Sequence, residues 1–215
     1  MRNGQAWWVG WVCCSMATVC AASIHTAVLE QPWPKQWVHE YEVGRYSVRW
    51  RQRASAEDGI SSGASFTAPS ALERTWTLAN DYRDLGTITP GVSSVRVLEQ
   101  TPTRQVLQID IKVLWKTLRL IFEIEQDPPR ATRFRLTNEV VGEYLGVCLF
   151  APEGGGTRVE LSTRLKPAVH IPPGLVLSIE RMVMLRSIRE FLETCEQRGP
   201  AAQSAAHRAA PPAAT

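Results

Sequence analysis

The glycine-rich stretch Pro152–Leu165 is a candidate for a chemically functional motif. It reads PEGGGTRVELSTRL, and three glycines before Thr-Arg could cradle a phosphate group. A phosphate loop requires a helix directly after it, because the helix N-terminus supplies the N–H groups that hold the anion. Instead, the residues after the glycines alternate. Val159, Leu161, Thr163 and Leu165 fall on one side, and the charged or polar residues between them fall on the other. This period of two predicts a strand, so the glycines indicate a hairpin turn of an antiparallel sheet.

Groups suited to acid–base catalysis are few and scattered. The candidates are His39, His170 and the carboxylate pairs Asp81/Asp84 and Glu123/Glu125. A catalytic carboxylate needs burial and a shifted pKa, whereas Glu123 and Glu125 share a charged strand face that is typical of a solvent-facing surface. The chain has no G-x-S-x-G nucleophile elbow, no G-x-G-x-x-G pattern and no Walker pattern. These residues therefore assign no reaction.

Cysteine spacing gives no metal site. There is no C-x-x-C and no His/Cys cluster with ligand spacing, so neither a metal nor a cofactor is expected. Cys148 and Cys195 lie outside the N-terminal segment. In an exported protein they could form a disulfide, or they could be two separate buried thiols.

The N-terminal residues have the composition of an export signal. Arg2 is followed by no charged residue until Glu30, and the segment between contains the apolar run AWWVGWVCCSMATVCAA. We expect residues 1–27 to be a signal peptide, cleaved after Ala22 or Ala27, which predicts a periplasmic or secreted protein. The alternatives are a retained membrane anchor and a lipoprotein acylated at Cys20.

The folded unit is expected to span residues 36–198. The tail, 199–215, is rich in alanine and proline and has no large apolar side chain, so we expect it to be disordered. The formal net charge is +3, and the arginines are spread along predicted strands. This distribution does not indicate nucleic-acid binding.

Alternating segments predict an antiparallel sheet with one apolar face. The first strand is expected at Val38–Arg53, where a change of phase at Gly44-Arg45 suggests a bulge. Helical spacing of Leu72, Trp76 and Ala79 predicts a short helix, with a second short turn ending at Gly86. The remaining strands are expected at 92–99, 107–113, 118–124, around 134–136, 140–150 and 158–166.

A long helix after Pro172-Pro173 is expected to cover the apolar face of the sheet. It runs from Gly174 to about Arg198, and proline is tolerated in its first turn. Its early and late apolar residues are displaced around the axis, as a curved sheet or a kink would require. Met182 and Met184 stand two positions apart and cannot both face the sheet squarely.

This order of elements resembles the helix-grip fold of the START-like, or SRPBCC, superfamily, and the local sequence resembles its polyketide cyclase/dehydrase and coenzyme-Q-binding-like branch. The residues that carry the likeness are WTLANDYRDL (76–85), ITPGV (88–92), VRVLE (95–99) and GTRVEL (156–161). The resemblance implies an α+β fold. A curved antiparallel sheet of about six or seven strands would wrap around the C-terminal helix, with short helices after the first strand.

The same resemblance implies a cavity between sheet and helix, lined by apolar and aromatic side chains. The expected ligand-binding residues are Trp76, Ile109, Trp115, Phe122, Phe134, Tyr144, Leu161, Met182 and Leu185. In a cyclase-like enzyme, Tyr82, Arg135, Tyr144 and His170 would be conceivable participants.

The predicted function is that of an exported protein that binds or carries a hydrophobic small molecule, such as a lipid, an isoprenoid or an aromatic compound. A carrier of this kind would contact membranes transiently. One alternative is a cyclase- or aromatase-like enzyme using the same cavity. The other is a structural or interaction module with a filled core. The sequence defines neither the ligand nor the oligomeric state.

Overall fold

The computed structural model describes residues 39–55, 59–82, 91–113, 116–139, 141–168 and 172–197. The predicted leader and tail, Trp115 and His170 lie outside this part of the chain. The described residues form nine strands and two helices. In chain order they are β1 His39–Val43, β2 Tyr46–Ser55, β3 Gly59–Ala68, α1 Leu72–Ala79, β4 Val92–Gln100, β5 Arg104–Val113, β6 Lys116–Asp127, β7 Ala131–Asn138, β8 Gly142–Glu153, β9 Gly156–Lys166 and α2 Pro173–Gln197.

The strands form one curved, unclosed antiparallel sheet in the order β1-β2-β3-β9-β8-β7-β6-β5-β4. Strands that follow one another along the chain pair as neighbours, except that β3 pairs with β9 and β4 starts at the opposite edge. Ile60 stands opposite Leu165, and Ala68 opposite Thr157. The chain therefore crosses the sheet after α1 and returns strand by strand to β3. This architecture is the predicted helix grip, with more strands than the six or seven expected.

The N-terminal end of the sheet is a hairpin where the sequence suggested one bulged strand. Tyr41 pairs with Val48, and Val43 pairs with Tyr46 across the two-residue turn Gly44-Arg45. Gly44 has a φ of +67°, the left-handed conformation that favours glycine. A change of alternation phase at a glycine arises from a bulge or from a chain reversal. Here the chain reverses, so the bulge prediction is wrong.

Strand β3 is the element that the sequence pattern concealed. It reads GISSGASFTA and lacks the regular alternation of large apolar and polar residues. It lies between β2 and β9, and it packs against α2. Ser62 and Ala64 are fully buried at this contact, since small side chains let the helix approach the sheet. The helix α1 consequently follows the third strand and not the first. The second expected helical turn lies outside the described residues.

The glycine-rich stretch forms the predicted hairpin. Gly154 and Gly155 occupy the turn with φ values of +56° and +86°, and Glu153 stands opposite Gly156. Residues Val159 and Leu161 then face the interior, as their alternation indicated. The loop joins two strands and no helix follows it, so the phosphate-loop interpretation is excluded.

Helix α2 has a buried C-terminal half and an exposed N-terminal half. Ile188, Leu192 and Cys195 are buried, whereas Leu175 and Ile179 are about half exposed. The early and late apolar residues of α2 therefore lie in different environments, which accounts for the displacement of its two apolar faces around the helix axis. Neither described helix combines the length and the hydropathy that a membrane span requires.

Candidate functional site

A cavity of about 420 Å³ lies between the concave face of the sheet and α2. Its volume falls within the usual range for small-molecule sites. The lining is almost entirely apolar. It consists of Phe66, Ala79, Tyr82, Val92, Leu107, Ile109, Ile111, Phe122, Ile124, Phe134, Tyr144, Cys148, Val159, Leu161, Val183, Met184, Ser187, Ile188 and Phe191.

The cavity exists because one helix cannot fill the concavity of this sheet. Nine strands at about 4.8 Å spacing give a layer roughly 38 Å wide, while a helix with its side chains is about 10–12 Å wide. Helix α2 packs against β1, β2, β3 and α1. A separate apolar cluster, containing Leu107, Ile109 and Ile124, covers the β5–β6 region. The cavity is lined by residues of both this cluster and the core cluster beneath α2.

An aromatic row forms one wall of the cavity. The ring centroid of Phe134 lies 6.2 Å from that of Phe122 and 5.5 Å from that of Tyr144. Phe134 stands opposite Gly146 in the β7–β8 pair. A Cβ atom at position 146 would come within 2.0 Å of the Cζ atom of Phe134. The absence of a side chain at Gly146 therefore lets the Phe134 ring lie against β8 and keeps the cavity open.

The hydroxyl of Tyr82 is held by a polar cluster beside α1. It donates a hydrogen bond of 3.0 Å to Oδ1 of Asn80. The same oxygen accepts from Nε2 of Gln126 and from Oγ1 of Thr132, each at 2.9 Å. Burial raises the pKa of Tyr82 above its usual value, with Cys148 as a further contribution and a Gln126 hydrogen bond opposing it. Tyr82 consequently stays protonated.

A second polar cluster adjoins Tyr144. The carboxylate of Glu180 accepts hydrogen bonds from Oγ of Ser62 at 2.7 Å and from Oγ1 of Thr163 at 3.0 Å. We call Ser62, Thr163 and Glu180 the Glu180 cluster. Burial raises the pKa of Glu180, and the two hydroxyl hydrogen bonds lower it in part. Burial, followed by the charge of Glu180, raises the pKa of Tyr144, and a hydrogen bond with Thr163 opposes this shift.

Cys148 places a thiol in the cavity wall. Burial raises its pKa to about 12, so the thiol is protonated at neutral pH and is a poor nucleophile. Cys148 and Cys195 are both free thiols, so of the two alternatives the structure has separate thiols and no disulfide between them. Within the described residues no group of three or more His, Cys, Asp or Glu side chains could hold a metal ion.

The structure brings together five of the nine residues expected to line a cavity. Ile109, Phe122, Phe134, Tyr144 and Leu161 all face it. Trp76 and Leu185 instead pack on the core cluster beneath α2, where Trp76 makes an edge contact with Phe150 at 5.4 Å. Met182 is 65% exposed and points away from the cavity, whereas Met184 lines it. Trp115 lies outside the described residues.

The conceivable catalytic participants also divide into residues that line the cavity and residues that do not. Tyr82 and Tyr144 line the cavity. Arg135 does not, and it forms an ion pair of 2.9 Å with Glu123. Glu123 is thus paired on the charged face of the sheet, in agreement with the solvent-facing interpretation of its strand.

Sequence reasoning missed two residues that shape this site. Gly146 carried a usable signal, because a glycine inside a strand marks a close approach by another group. Glu180 carried one as well, since it is a carboxylate one helical turn before the cavity-lining Val183 and Met184. Its burial depends on Ser62 of β3, a strand that the sequence pattern did not reveal.

The fold and the cavity define a helix-grip protein with an internal apolar site. Residues 69–192, more than half of the chain, match the family model described as polyketide cyclase / dehydrase and lipid transport. The chain therefore belongs to this START-like family. No curated protein matches the sequence.

Solved structures with the same fold include TTHA0849 from Thermus thermophilus. It is 27% identical, with a TM-score of 0.53, over 66% of this chain and 98% of that one. The Zhui aromatase/cyclase from Streptomyces sp. R1128 is 18% identical, with a TM-score of 0.54, over 64% and 94%. A STAR-related lipid transfer protein from Xanthomonas axonopodis is 13% identical, with a TM-score of 0.59, over 75% and 99%.

Proposed function

We propose that this protein binds or carries a hydrophobic small molecule, a lipid, an isoprenoid or an aromatic compound, in the cavity between the sheet and α2. The observation that carries the proposal is an apolar cavity of about 420 Å³ lined by both halves of the sheet and by the helix. An unfilled apolar space forfeits packing contacts, so an apolar guest would stabilise the fold. The family description includes lipid transport, and one structural neighbour is titled a lipid transfer protein.

The polar groups at the cavity favour binding over acid–base chemistry. Tyr82, Tyr144 and Cys148 all have raised pKa values, so each remains protonated at neutral pH and none is a ready base. His170, the linker histidine, lies outside the described residues. A carrier needs only an apolar pocket and a few orienting hydrogen bonds, which these side chains supply.

The second candidate is a cyclase-like enzyme that uses the same cavity. One observation favours it: the carboxylate of Glu180 is partly buried beside Tyr144, with a raised pKa. A carboxyl group whose pKa is raised by burial is a candidate general acid or base. The family description includes polyketide cyclases, and the Streptomyces neighbour is titled an aromatase/cyclase.

We further propose that the protein acts outside the cytoplasm. The support is the uncharged, apolar segment within residues 1–27, with small residues at Ala22 and Ala27. N-terminal sequencing of the protein made in a host with intact export tests this point. A mature chain beginning after Ala22 or Ala27 supports export with cleavage, and an intact N-terminus in the cytoplasmic fraction contradicts it.

Native mass spectrometry of the full chain, extracted under mild conditions, tests the carrier proposal. We expect a bound hydrophobic molecule on the wild-type protein and on Ile179→Trp, which alters an exposed position of α2. Val183→Trp places an indole in the cavity from the next turn of the same helix and should abolish the adduct. Turnover of an aromatic polyketide would support the cyclase instead. A wild-type protein that neither carries nor binds any apolar compound would refute both.

A further inference from the structure

The face of α2 that lines the cavity has a serine at its centre. Ser187 lies one turn after Val183 and one turn before Phe191, and all three residues line the cavity. Met184 and Ile188 line it as well. Serine has the shortest side chain of this set, so it leaves room in the helix wall for a group of the ligand. Its hydroxyl is the polar group that this wall offers.

The other hydroxyl side chains of α2 are engaged by the helix itself. Oγ of Ser178 donates to the carbonyl oxygen of Gly174 at 2.9 Å, and Oγ1 of Thr194 donates to that of Glu190 at 2.8 Å. A serine or threonine inside a helix can bond in this way to the carbonyl four residues earlier. Among the described residues, the hydroxyl of Ser187 has no such bond and no other hydrogen-bond partner. Its proton and its lone pairs therefore remain available to a ligand.

The cost of burying a hydroxyl makes this position selective. A polar group that loses water costs free energy unless it finds a hydrogen-bond partner. A pure hydrocarbon would cover the Ser187 hydroxyl and offer it no partner, whereas the oxygen of an alcohol or a ketone would satisfy it. Tyr82, another polar residue of the lining, already donates its hydroxyl proton to Asn80 at 3.0 Å and has none left for a ketone.

From these observations we infer that Ser187 is a ligand-binding residue, and that the cavity takes a hydrophobic molecule with an alcohol or ketone oxygen that lies against the middle of the lining face of α2. This inference rests on the proposed function, since it names a ligand class and a contact for the same cavity. The Ser187 hydroxyl donates to the oxygen of a ketone, and it donates to or accepts from the hydroxyl of an alcohol.

Displacement of the neutral fluorescent probe N-phenyl-1-naphthylamine from the full chain tests this contact. The competitors are 6-undecanone, 6-undecanol and undecane, which share one carbon chain and differ at its central carbon. The affinity for each competitor is compared between variant and wild type, so that the hydration of the competitor cancels from the ratio. Ser187→Ala removes the hydroxyl, and Ser187→Cys replaces it with a thiol, which is only a weak hydrogen-bond donor.

We expect both variants to bind the ketone and the alcohol about 3- to 10-fold more weakly than the wild type, which is the value of one hydrogen bond. Neither variant should bind undecane more weakly, because the hydrocarbon has no hydrogen bond to lose. Ser178→Ala is the matched control. It removes an exposed hydroxyl that is bonded to Gly174 on the same helix, so all three affinities should equal those of the wild type.

The outcomes separate this inference from the proposed function. If Ser187→Ala leaves the affinities for the ketone and the alcohol unchanged, or weakens undecane by the same factor, the inference is wrong and the carrier proposal still stands. Failure of the wild type to bind the probe and all three competitors would overturn both. Thermal unfolding shows that each variant is folded, and alanine, which favours helix more than serine does, should keep α2 intact.

Discussion

Substitution of Gly146 by alanine provides a direct test of how the cavity is kept open. The new Cβ atom would come within 2.0 Å of Cζ of Phe134 and within 2.3 Å of Cε1, whereas ordinary contacts begin at 3.4 Å. Strand β8 is paired on both sides and cannot move easily, so the ring must retreat by about 1.4 Å. Because Phe134 lines the cavity, the retreat takes place into it.

The size of the effect follows from the space that the ring occupies. A displacement of this size removes room on the order of one or two methylene groups, each worth about 0.8 kcal/mol when buried. We therefore expect Gly146→Ala to bind a ligand that fills the cavity about 4- to 15-fold more weakly. The free energy of unfolding should fall by only about 1 kcal/mol, the low end for overpacking, because the ring moves into empty space.

Displacement of the neutral fluorescent probe N-phenyl-1-naphthylamine from the cavity by 1-dodecanol and by the shorter 1-octanol measures this loss of affinity. Thermal unfolding is measured in parallel. The longer alcohol should lose affinity and the shorter one should be nearly unaffected. Gly174→Ala is the control, since its Cβ atom would meet nothing within 4 Å. The reasoning is refuted if both alcohols lose affinity equally. It is also refuted if adding Phe134→Leu, which removes the clashing ring atoms, fails to relieve the effect of Gly146→Ala.

Three further predictions concern single side chains. The raised pKa of Glu180 means that the folded state binds its proton more tightly than the unfolded state does. That stabilising contribution is complete below about pH 4.5 and is lost as the pH rises through the folded pKa. Glu180→Gln should therefore have a higher melting temperature than the wild type at pH 8 and a similar one at pH 4. A difference that is constant across this range would contradict the assignment. Cys148 and Cys195, with pKa values raised to about 12 and 11, should react with iodoacetamide at pH 8 at least tenfold more slowly in the native than in the urea-unfolded protein. Equal rates would show that the thiols are accessible. Met182→Lys should change the free energy of unfolding by less than about 0.5 kcal/mol, whereas Met184→Lys should cost at least about 2 kcal/mol and abolish probe binding. The reverse order would place the wrong methionine in the cavity.

The strand pattern shows how far local sequence carries the fold. Residues 107–113 alternate between apolar and polar side chains, and so do residues 118–124 apart from Ile121, because β5 and β6 each have one face on the interior; the structure has strands there. The glycines at 154 and 155 marked the β8–β9 turn for an equally local reason, their positive φ. Where the physical cause lies within a few residues of the signal, the element was predictable.

Strand β3 and the Gly44 hairpin show where that approach fails. Residues 60–64 of β3, which include two serines, a glycine and an alanine, are buried because β3 is a central strand beneath α2, and no feature of GISSGASFTA specifies these neighbours. A glycine at a phase change is compatible with a bulge and with a reversal. Only the pairing of Tyr41 with Val48 distinguishes the two.

The sequence by itself determined the antiparallel alternation, the long C-terminal helix and a supply of large apolar side chains, because each of these depends on residues close together in the chain. Only the tertiary structure decided that Met184 and not Met182 faces the interior, and that Gly146 makes room for Phe134. It also decided that Ser62 and Thr163, which are far apart in the chain, meet at Glu180. The cavity itself follows from the same long-range geometry, since the concave face of a wide curved sheet is covered by a single helix that is too narrow to fill it.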